Sequence, residues 1–401
     1  MKRILFCVVP EKGHVNPCIG AAQHLRAAGF EIAFYAPADI SAQLDVAGAF
    51  AFVGPRGTPE RHDLSRGAAF ASNIRDAAWL RRWIRTLLID ETPAQVDGIR
   101  AVLRDWQPAV VVIDPLLYAS AIAAELEQLP WVAMSNSLNP VLPDDLDSEL
   151  LRTVRWLAPE RDRLFARYGL EARFRGCDIL SPHLTLAFAT EDLVGPPPPG
   201  VELVGPALPA GPRGDETPFP WERIDADRPL VYMSLGSQLY YHPDLFAKVI
   251  EATRATSAQL VLSVGELVDT DLLPATDERV VAVRYAPQLA LLRRTHAFIS
   301  HGGANSVMEA LACGVPMLLS PFCNDQFHSA HFVERAGAGY CLDLQRASVR
   351  EIADAVEGLL RPGPLRERVA RIRTSYARDG SAQAARRISE LASGSRPARA
   401  S

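Results

Sequence analysis

The chain has 401 residues, with 48% hydrophobic and 22% charged side chains and a formal net charge of −5 at pH 7. This length exceeds one ordinary hydrophobic core, so it predicts two domains of roughly 180–200 residues each. The acidic balance argues against a nucleic-acid partner, because binding a phosphate backbone requires a surplus of basic side chains on one face. The six cysteines are scattered without a CxxC pair, which indicates neither a disulfide framework nor a zinc site.

No transmembrane segment is expected, because no run approaches about eighteen consecutive apolar residues. Lys2-Arg3 precedes an apolar run that stops at Pro10, which is too short for a signal peptide. These features predict a cytoplasmic protein without stable membrane insertion.

The N-terminal segment has the pattern of a strand, a loop, a helix and a second strand. Ile4–Val9 and Phe30–Tyr35 are apolar strand candidates, and Asn16 and Pro17 are typical of a helix start. This βαβ pattern predicts a parallel sheet, in which loops at the carboxyl ends of strands form the ligand site. His14 falls in the first such loop. A histidine there is more often a cap or a surface residue than a catalyst, although imidazole can take a proton from a hydroxyl near neutral pH.

A second candidate side chain follows the strand predicted at Val110–Ile113. Asp114 lies at the carboxyl end of that strand, on the same edge of the sheet as His14. Because Pro115 follows, the aspartate could also simply initiate an Asx turn. Both readings are compatible.

The segment Arg56–Leu88 carries apolar side chains at helical spacing, which predicts an amphipathic helix whose simplest role is core packing. A Pro/Gly-rich run from Pro206 to Pro220 has the composition of an interdomain linker. Beyond it, Pro229–Leu235 is a predicted strand that leads into Gly236-Ser237.

The stretch from Arg284 to Gln326 contains the strongest functional pattern. Ala297–Ser300 is a predicted strand, His301-Gly302-Gly303 a turn, and Asn305–Ala312 a helix. A glycine turn before a helix N-terminus forms an anion site, most often for phosphate, in which Asn305 and Ser306 cap the helix or donate to phosphate oxygens. Taken alone, the glycines could merely form a tight turn.

The residues around this turn favour a nucleotide-sugar. Tyr285 is an aromatic surface for a base, Glu309 a carboxylate one turn into the helix, and Asp325-Gln326 an acid and amide pair after the next strand. Such groups suit a base, ribose hydroxyls, a diphosphate and sugar hydroxyls.

These motifs resemble the donor-binding signature of the UDP-glycosyltransferase superfamily (family 1), of the bacterial macrolide and carotenoid type. The resemblance covers nearly the whole chain. It implies an α/β GT-B fold, in which two Rossmann-like doubly wound domains face each other across a cleft. The implied regions are an acceptor domain, a linker, a nucleotide-sugar domain, a helix that crosses back and a disordered tail, at 1–205, 206–227, 228–378, 379–393 and 394–401.

By this resemblance, the run Gly13–Pro17 matches the catalytic loop, with His14 as general base and Asp114 as its partner. The donor-binding residues implied are Ser237, Tyr285, Gln288, His301, Gly303, Asn305, Ser306, Glu309, Asp325 and Gln326. Two positions depart from the family pattern: Tyr285 replaces a Trp that stacks on the base, and Ala304 replaces a Trp used by plant members. The segments 56–88 and 136–175 are implied to line the acceptor pocket.

The activity implied is inverting and metal-independent transfer of a hexose to a hydroxyl of a lipophilic small molecule, by a monomer or weak homodimer. No cofactor is implied beyond the co-substrate. Asp325 and Gln326 can satisfy equatorial hydroxyls, which favours UDP-glucose, with a TDP-sugar as the alternative. Two DxD patterns, Asp225–Asp227 and Asp269–Asp271, are of the kind that binds Mn²⁺ in another transferase fold, but chance explains them better. A nucleotide-sugar epimerase and a non-catalytic nucleotide-sugar-binding activator are the competing functions.

Overall fold

A computed structural model describes residues 1–57, 73, 76–214, 216–236, 242–265, 268, 270, 273 and 278–394. The predictions for Ser237, Asp269, Asp271 and the tail from 395, and part of that for 56–88, lie outside these residues. The described chain divides into two compact units, one comprising 1–57, 76–214 and 378–394, and the other running from 216 to 377. The change of unit lies within the predicted linker. Within the described part, no helix is long and apolar enough to span a bilayer.

The first unit is built on a sheet of parallel strands in the order β3-β2-β1-β4-β5-β8-β9. Its strands are β1 (Arg3–Cys7), β2 (Glu31–Tyr35), β3 (Ala51–Phe52), β4 (Val110–Ile113), β5 (Trp131–Ser135), β8 (Leu184–Ala187) and β9 (Val201–Leu203), and β6 (Arg173–Arg175) and β7 (Asp178–Leu180) form a separate antiparallel pair. All four residues of β4 are buried. Continuous apolar strands of this kind are typical of parallel sheets that are covered on both faces.

The strand order reverses between β1 and β4, which pair in register from Ile4 with Val110 to Cys7 with Ile113. Ligands of doubly wound sheets bind at the carboxyl ends of strands at such a reversal. The chain leaving β1 leads to His14, and Asp114 follows β4 directly. The fold therefore brings these two side chains to one edge of the sheet.

The helices of this unit before the second sheet are α1 (Lys12–Ala27), α2 (Ser41–Gly48), α3 (Ala77–Arg85), α4 (Thr92–Trp106), α5 (Tyr118–Leu126), α6 (Glu149–Ala166) and α7 (Glu191–Val194). Helix α3 has the predicted amphipathic character, since Leu80 and Ile84 are buried in the core while Trp79 and Trp83 pack partly buried against it. It continues into a π-helical segment at Thr86–Asp90.

Helix α1 begins a turn earlier than predicted, at Lys12 instead of Asn16, and Pro17 lies inside it. The amides of His14 and Val15 both donate to the carbonyl oxygen of Glu11, at 2.8 and 2.9 Å, and so close the first turn. Asn16 lies inside the helix and therefore does not cap it. Its side-chain oxygen accepts a hydrogen bond from Gln43 at 2.7 Å instead. His14 therefore belongs to the first helical turn and not to a loop.

The second unit has a parallel sheet in the order β12-β11-β10-β13-β14-β15. Its strands are β10 (Leu230–Ser234), β11 (Gln259–Ser263), β12 (Val280–Val283), β13 (Ala297–Ser300), β14 (Met317–Leu319) and β15 (Gly339–Cys341), and its helices are α8 (Pro243–Arg254), α9 (Gln288–Leu292), α10 (Ala304–Cys313), α11 (Gln326–Arg335), α12 (Val349–Leu360) and α13 (Pro364–Ser375). Here the order reverses between β10 and β13, whose carboxyl ends lead to Gly236 and to His301–Gly303.

The last helix, α14 (Gly380–Ala392), belongs to the first unit and packs against α1. Gly20 permits this close approach, because a Cβ atom there would lie 2.3 Å from the hydroxyl oxygen of Ser381. The Ser381 hydroxyl donates to the carbonyl oxygen of Leu208 at 2.6 Å, and Asp379 caps the helix through the amide of Ala382.

Candidate active site

His14 and Asp114 form a close pair in the first unit. His14 Nδ1 lies 2.6 Å from Asp114 Oδ2, and the side chains are 28% and 1% exposed, respectively. A buried carboxylate on Nδ1 favours the tautomer that carries its proton there, which puts the basic lone pair on Nε2. The arrangement therefore suits proton abstraction by a partly exposed imidazole held in one orientation.

The other oxygen of Asp114 is used within its own turn. Oδ1 accepts from the amide of Leu116 at 3.1 Å, so the Asx turn and the contact with His14 coexist. On the far side of the pair, the thiol of Cys18 donates to the carbonyl oxygen of His14 at 3.3 Å. Burial, and after it the charge of Asp114, raises the pKa of the Cys18 thiol well above its usual range, so this group stays protonated as a donor.

Asn136 is a third member of this cluster that the sequence analysis did not identify. Its amide nitrogen donates to Asp114 Oδ2 at 2.9 Å and approaches the carbonyl oxygen of His14 at 3.3 Å. It follows β5 directly, so its place at a carboxyl end is the signal that would have found it. The side chain holds the same carboxylate oxygen that meets the imidazole, and therefore restricts the orientation of both.

In the second unit, the imidazole of His301 packs against two glycines. A Cβ atom at Gly236 or at Gly303 would lie 2.6 Å from a ring atom, so neither position accommodates a larger residue without movement. Burial lowers the pKa of His301 to about 4, which makes the ring neutral at pH 7. Its Nδ1 atom is buried and has no hydrogen-bond partner among the described residues.

Helix α10 starts directly after these glycines, with Gly303 as its N-cap residue. Asn305 and Ser306 lie inside the first turn, so the predicted capping role is wrong for both: no side chain caps this helix. A glycine cap has no side chain to satisfy the first amides, which suits a helix end that receives an anion instead. The Ser306 hydroxyl is used elsewhere, because it accepts a hydrogen bond from the amide nitrogen of Gln288 at 3.3 Å.

Gln288, Glu309 and Ser306 form one hydrogen-bonded group. Gln288 Nε2 donates to Glu309 Oε2 at 2.9 Å, and Glu309 is only 2% exposed. The hydroxyl of Tyr232, stacked on Phe298, lies 3.4 Å from Gln288 Oε1. Three predicted donor-site residues are thus assembled around a buried carboxylate, and Tyr232 is an additional member that the sequence analysis missed.

The remaining predicted residues lie at two strand ends. Tyr285 is half-buried after β12, and its carbonyl oxygen accepts from Thr217 at 3.3 Å. Asp325 is the N-cap residue of α11 and makes no side-chain cap. Gln326 is buried, and its amide oxygen accepts from the backbone amides of Phe322 and Cys323 at 2.8 and 3.3 Å. The amide oxygen of Gln326 is thus used within its own turn, and the role of this residue on the donor sugar stays a prediction.

The first DxD pattern has a local structural explanation. Asp225 accepts from the amide of Asp227 at 2.9 Å and from Arg228 Nε at 3.0 Å. Within the described ranges, no cluster of three or more His, Cys, Asp or Glu side chains has the arrangement of a metal site.

Comparisons with known proteins give a family match for the second unit and relatives that align with nearly the whole chain. Residues 201–378 match the family described as UDP-glucoronosyl and UDP-glucosyl transferase. A curated relative, 4'-demethylrebeccamycin synthase of Lentzea aerocolonigenes, is 27% identical over 414 residues, covering 94% of this chain and 96% of that protein.

Solved structures share the fold over nearly the full length. A calicheamicin glycosyltransferase superposes with a TM-score of 0.74 at 24% identity, covering 99% of this chain and 100% of the other. A spinosyn rhamnosyltransferase complexed with thymidine diphosphate has a TM-score of 0.74 at 18% identity, covering 97% and 100%. The GT-B fold predicted from the sequence is confirmed, and the epimerase and activator alternatives are set aside. The family match over residues 201–378, together with the relatives that align along the full length, identifies the chain as a glycosyltransferase similar to the UDP-glycosyltransferase superfamily.

Proposed function

We propose that this enzyme moves a hexose from a nucleoside diphosphate sugar to a hydroxyl group of a lipophilic natural product, with inversion and without a metal ion. The observation that carries the proposal is the 2.6 Å contact between His14 Nδ1 and the buried carboxylate of Asp114. A non-catalytic sugar-nucleotide protein would have no need of an oriented base. The relative named as a rebeccamycin synthase supports an acceptor of natural-product type.

In the proposed reaction, His14 Nε2 takes the proton of the acceptor hydroxyl as its oxygen attacks the anomeric carbon. The new carbon–oxygen bond forms on the face opposite the bond to the diphosphate, which breaks and leaves with its electron pair. Asp114 stabilises the imidazolium that results, as the carboxylate does in hydrolase triads. Inversion follows because a single displacement occurs.

The donor's diphosphate is proposed to lie at the N-terminus of α10. Glycine-cap geometry, the helix dipole and the neutral ring of His301 stabilise the leaving charge there, with Asn305 close by. Ser237 remains a predicted phosphate contact. Because these groups address the charge themselves, turnover is expected to persist in the presence of a chelator.

The nucleoside is proposed to stack on Tyr285 and to place its ribose hydroxyls on Glu309. A ribose diol would then replace the N–H of Gln288 that now donates to Glu309 at 2.9 Å. Asp325 and Gln326 remain the proposed contacts for the hexose hydroxyls, and the backbone amides that donate to the Gln326 amide oxygen fix its side chain within the turn beside Asp325. UDP-glucose is the proposed donor, and the likeness to a rhamnosyltransferase holding thymidine diphosphate makes a TDP-deoxysugar the competing one.

The experiment is a screen of the purified protein against a panel of UDP- and TDP-sugars and lipophilic alcohols, with products detected by mass. UDP-glucose should be the fastest donor, and EDTA should leave the rate unchanged. Asp325→Ala should lose most of the preference among hexoses while binding UDP nearly as well as the parent. Faster turnover of a TDP-deoxysugar than of UDP-glucose would show that the assignment of Asp325 to glucose hydroxyls is wrong.

A further inference from the structure

A cavity of about 270 Å³ lies in the first unit, lined mainly by the segment 136–175, and none of its lining residues has been given a role above. It is formed by the segment after β5, by helix α6 and by the β6–β7 hairpin. Its lining combines an apolar portion, including Leu142, Leu151 and Phe174, with three arginines and one carboxylate. The volume is near the lower end of the range for small-molecule sites.

Arg161 is the most deeply placed charge in this lining. Its side chain is only 12% exposed, and the carboxylate of Asp162 lies 4.0 Å away, beyond hydrogen-bond range and largely in solvent. The guanidinium lies over the ring of Phe174 at 3.7 Å. Its Nε atom is buried and has no acceptor in the described part of the chain. A buried cation with an unsatisfied N–H is costly, and an aromatic face compensates only part of that cost.

Arg175 is a second arginine of this lining whose charge is only weakly compensated. Its Nη2 atom donates to Asp144 Oδ1 at 2.9 Å, but Asp144 is 91% exposed and therefore screens the charge weakly. The Nε atom of Arg175 is also buried without an acceptor among the described residues. Arg155 completes the lining, and its Nη1 atom lies 3.8 Å from the carboxylate of Asp147. The carboxylates beside the three guanidinium groups are thus all largely exposed to solvent, and they compensate the buried charges weakly.

We propose that this cavity binds a small apolar molecule that carries one carboxylate. The carboxylate would accept from Arg161 and Arg175, since guanidinium groups match its planar geometry, and the apolar body would pack on Phe174 and Leu151. A neutral molecule of the same shape would lack the charge-assisted hydrogen bonds to these guanidinium groups and bind less well.

This ligand chemistry has two sources, an acidic group of the acceptor itself or a separate small molecule. Asn139, in the cavity lining, is three residues from Asn136, which contacts Asp114. Three residues span at most roughly 10 Å of extended chain, so one elongated acceptor can connect the cavity and His14. The first source rests on the proposed function, whereas the second does not.

The binding test uses 2-naphthoate and its neutral analogue 2-naphthamide, each titrated into the full chain by calorimetry. The acid should bind about tenfold or more tightly than the amide, because a hydrogen bond to a charged group is lost in the amide. Arg161→Gln should bring the affinity for the acid down to that for the amide. Arg82→Gln, on the exposed side of α3 and outside the cavity, is the matched control and should change nothing.

Equal binding of acid and amide, or an affinity for the acid that survives both Arg161→Gln and Arg175→Gln, overturns the proposal. If Arg161→Gln fails to fold because the contact with Phe174 is lost, Arg175→Gln alone decides the question.

The source of the carboxylate is determined with 6-hydroxy-2-naphthoate in the presence of the nucleotide-sugar. Conversion to a glycoside, with a KM that rises in Arg161→Gln while slow hydrolysis of the donor is unchanged, identifies the acceptor. Binding without conversion identifies a separate ligand. Direct titration does not depend on transfer, so a failure of the proposed function leaves the binding result interpretable.

Discussion

The two polar sites of this enzyme are constructed in different ways. In the first unit, His14, Asp114 and Asn136 come from the ends of three strands and are held by contacts between side chains. In the second unit, His301, Gly303 and α10 follow one another along the chain, and the geometry depends on what glycine leaves open. In the proposed reaction, the first site controls a proton, whereas the second presents backbone and a neutral ring to a charged group.

Because the two sites are built differently, we expect different kinds of substitution to impair them. A site made of side chains loses its chemistry when one atom of a side chain is removed. A site made of backbone loses its shape when an atom is added.

Removing the base should have the largest effect. His14→Ala should lower kcat by roughly two to four orders of magnitude, the usual contribution of positioned proton transfer, while donor affinity remains nearly unchanged. Steady-state rates and UDP titrations measure the two quantities. Asp114→Asn should cost less, because it disturbs orientation without removing the imidazole.

A matched control is available on the same helix. His24 also contacts a carboxylate, that of Asp379, at 3.2 Å, but with side chains that are 30% and 57% exposed. His24→Ala should retain full activity. If His14→Ala stayed within about threefold of the parent, the assignment of the base would be wrong.

Adding one methyl group to the second site should have the next largest effect. Gly303 has φ −58°, which alanine adopts freely, so Gly303→Ala introduces only the clash with His301. Donor affinity should fall roughly tenfold to hundredfold, as for loss of one hydrogen bond to a charged group, while the fold is kept. Gly98→Ala, where a Cβ atom meets nothing within 4 Å, is the control.

The double variant Gly303→Ala with His301→Ala sharpens this test. If the ring is what the new methyl group displaces, the two losses of affinity should not add, because either change alone removes the same contact. Additive losses would mean that the methyl group acts on the backbone of the helix start instead.

The same contrast explains what the sequence could reveal. The donor site was predictable because Ala297–Ser300, the glycine turn and the helix follow without interruption, and periodicity and turn chemistry describe each of them. His14 and Asp114 each follow a predicted strand, which made them candidates, and the family resemblance supplied their predicted roles. Asn136 was missed because its strand, Trp131–Ser135, was not singled out, and only sheet topology brings it to the pair.

Other errors came from competition between local signals and packing. Asn16-Pro17 has the pattern of a helix start, but the helix begins a turn earlier and Asn16 bonds to Gln43. Asn305 and Ser306 are good capping residues, yet Gly303 takes the cap and Ser306 packs beside Gln288. Sequence spacing locates such residues to within a turn, and the tertiary partner decides their role.

Substitution of Asn136 should have a smaller effect on kcat, and it tests the first site alone. Asn136→Ala removes the donor to Asp114 Oδ2, and we expect kcat to fall roughly tenfold, the value of one hydrogen bond to a charged group. Donor KM should not change. Because slow unfolding could also lower kcat, the pH profile of kcat/KM is measured: a positioning role should shift its acid limb, whereas mere destabilisation should scale the whole curve.

The smallest expected effect concerns stability in the second unit. Burial, with a contribution from the neighbouring His331, lowers the pKa of His328 to about 4, and His328 is 1% exposed. Between pH 6.5 and 4 the unfolded chain therefore binds a proton at this residue that the folded chain does not. The free energy of unfolding should fall with decreasing pH in that window, by up to roughly 1.4 kcal/mol per pH unit for this group, and level off below it. His328→Asn should flatten the dependence measured by urea unfolding from pH 4 to 7.5. A parallel curve for His328→Asn would mean that this buried histidine does not control acid stability, and His301, with a pKa lowered to about 4 by the same cause, would be the residue to substitute next.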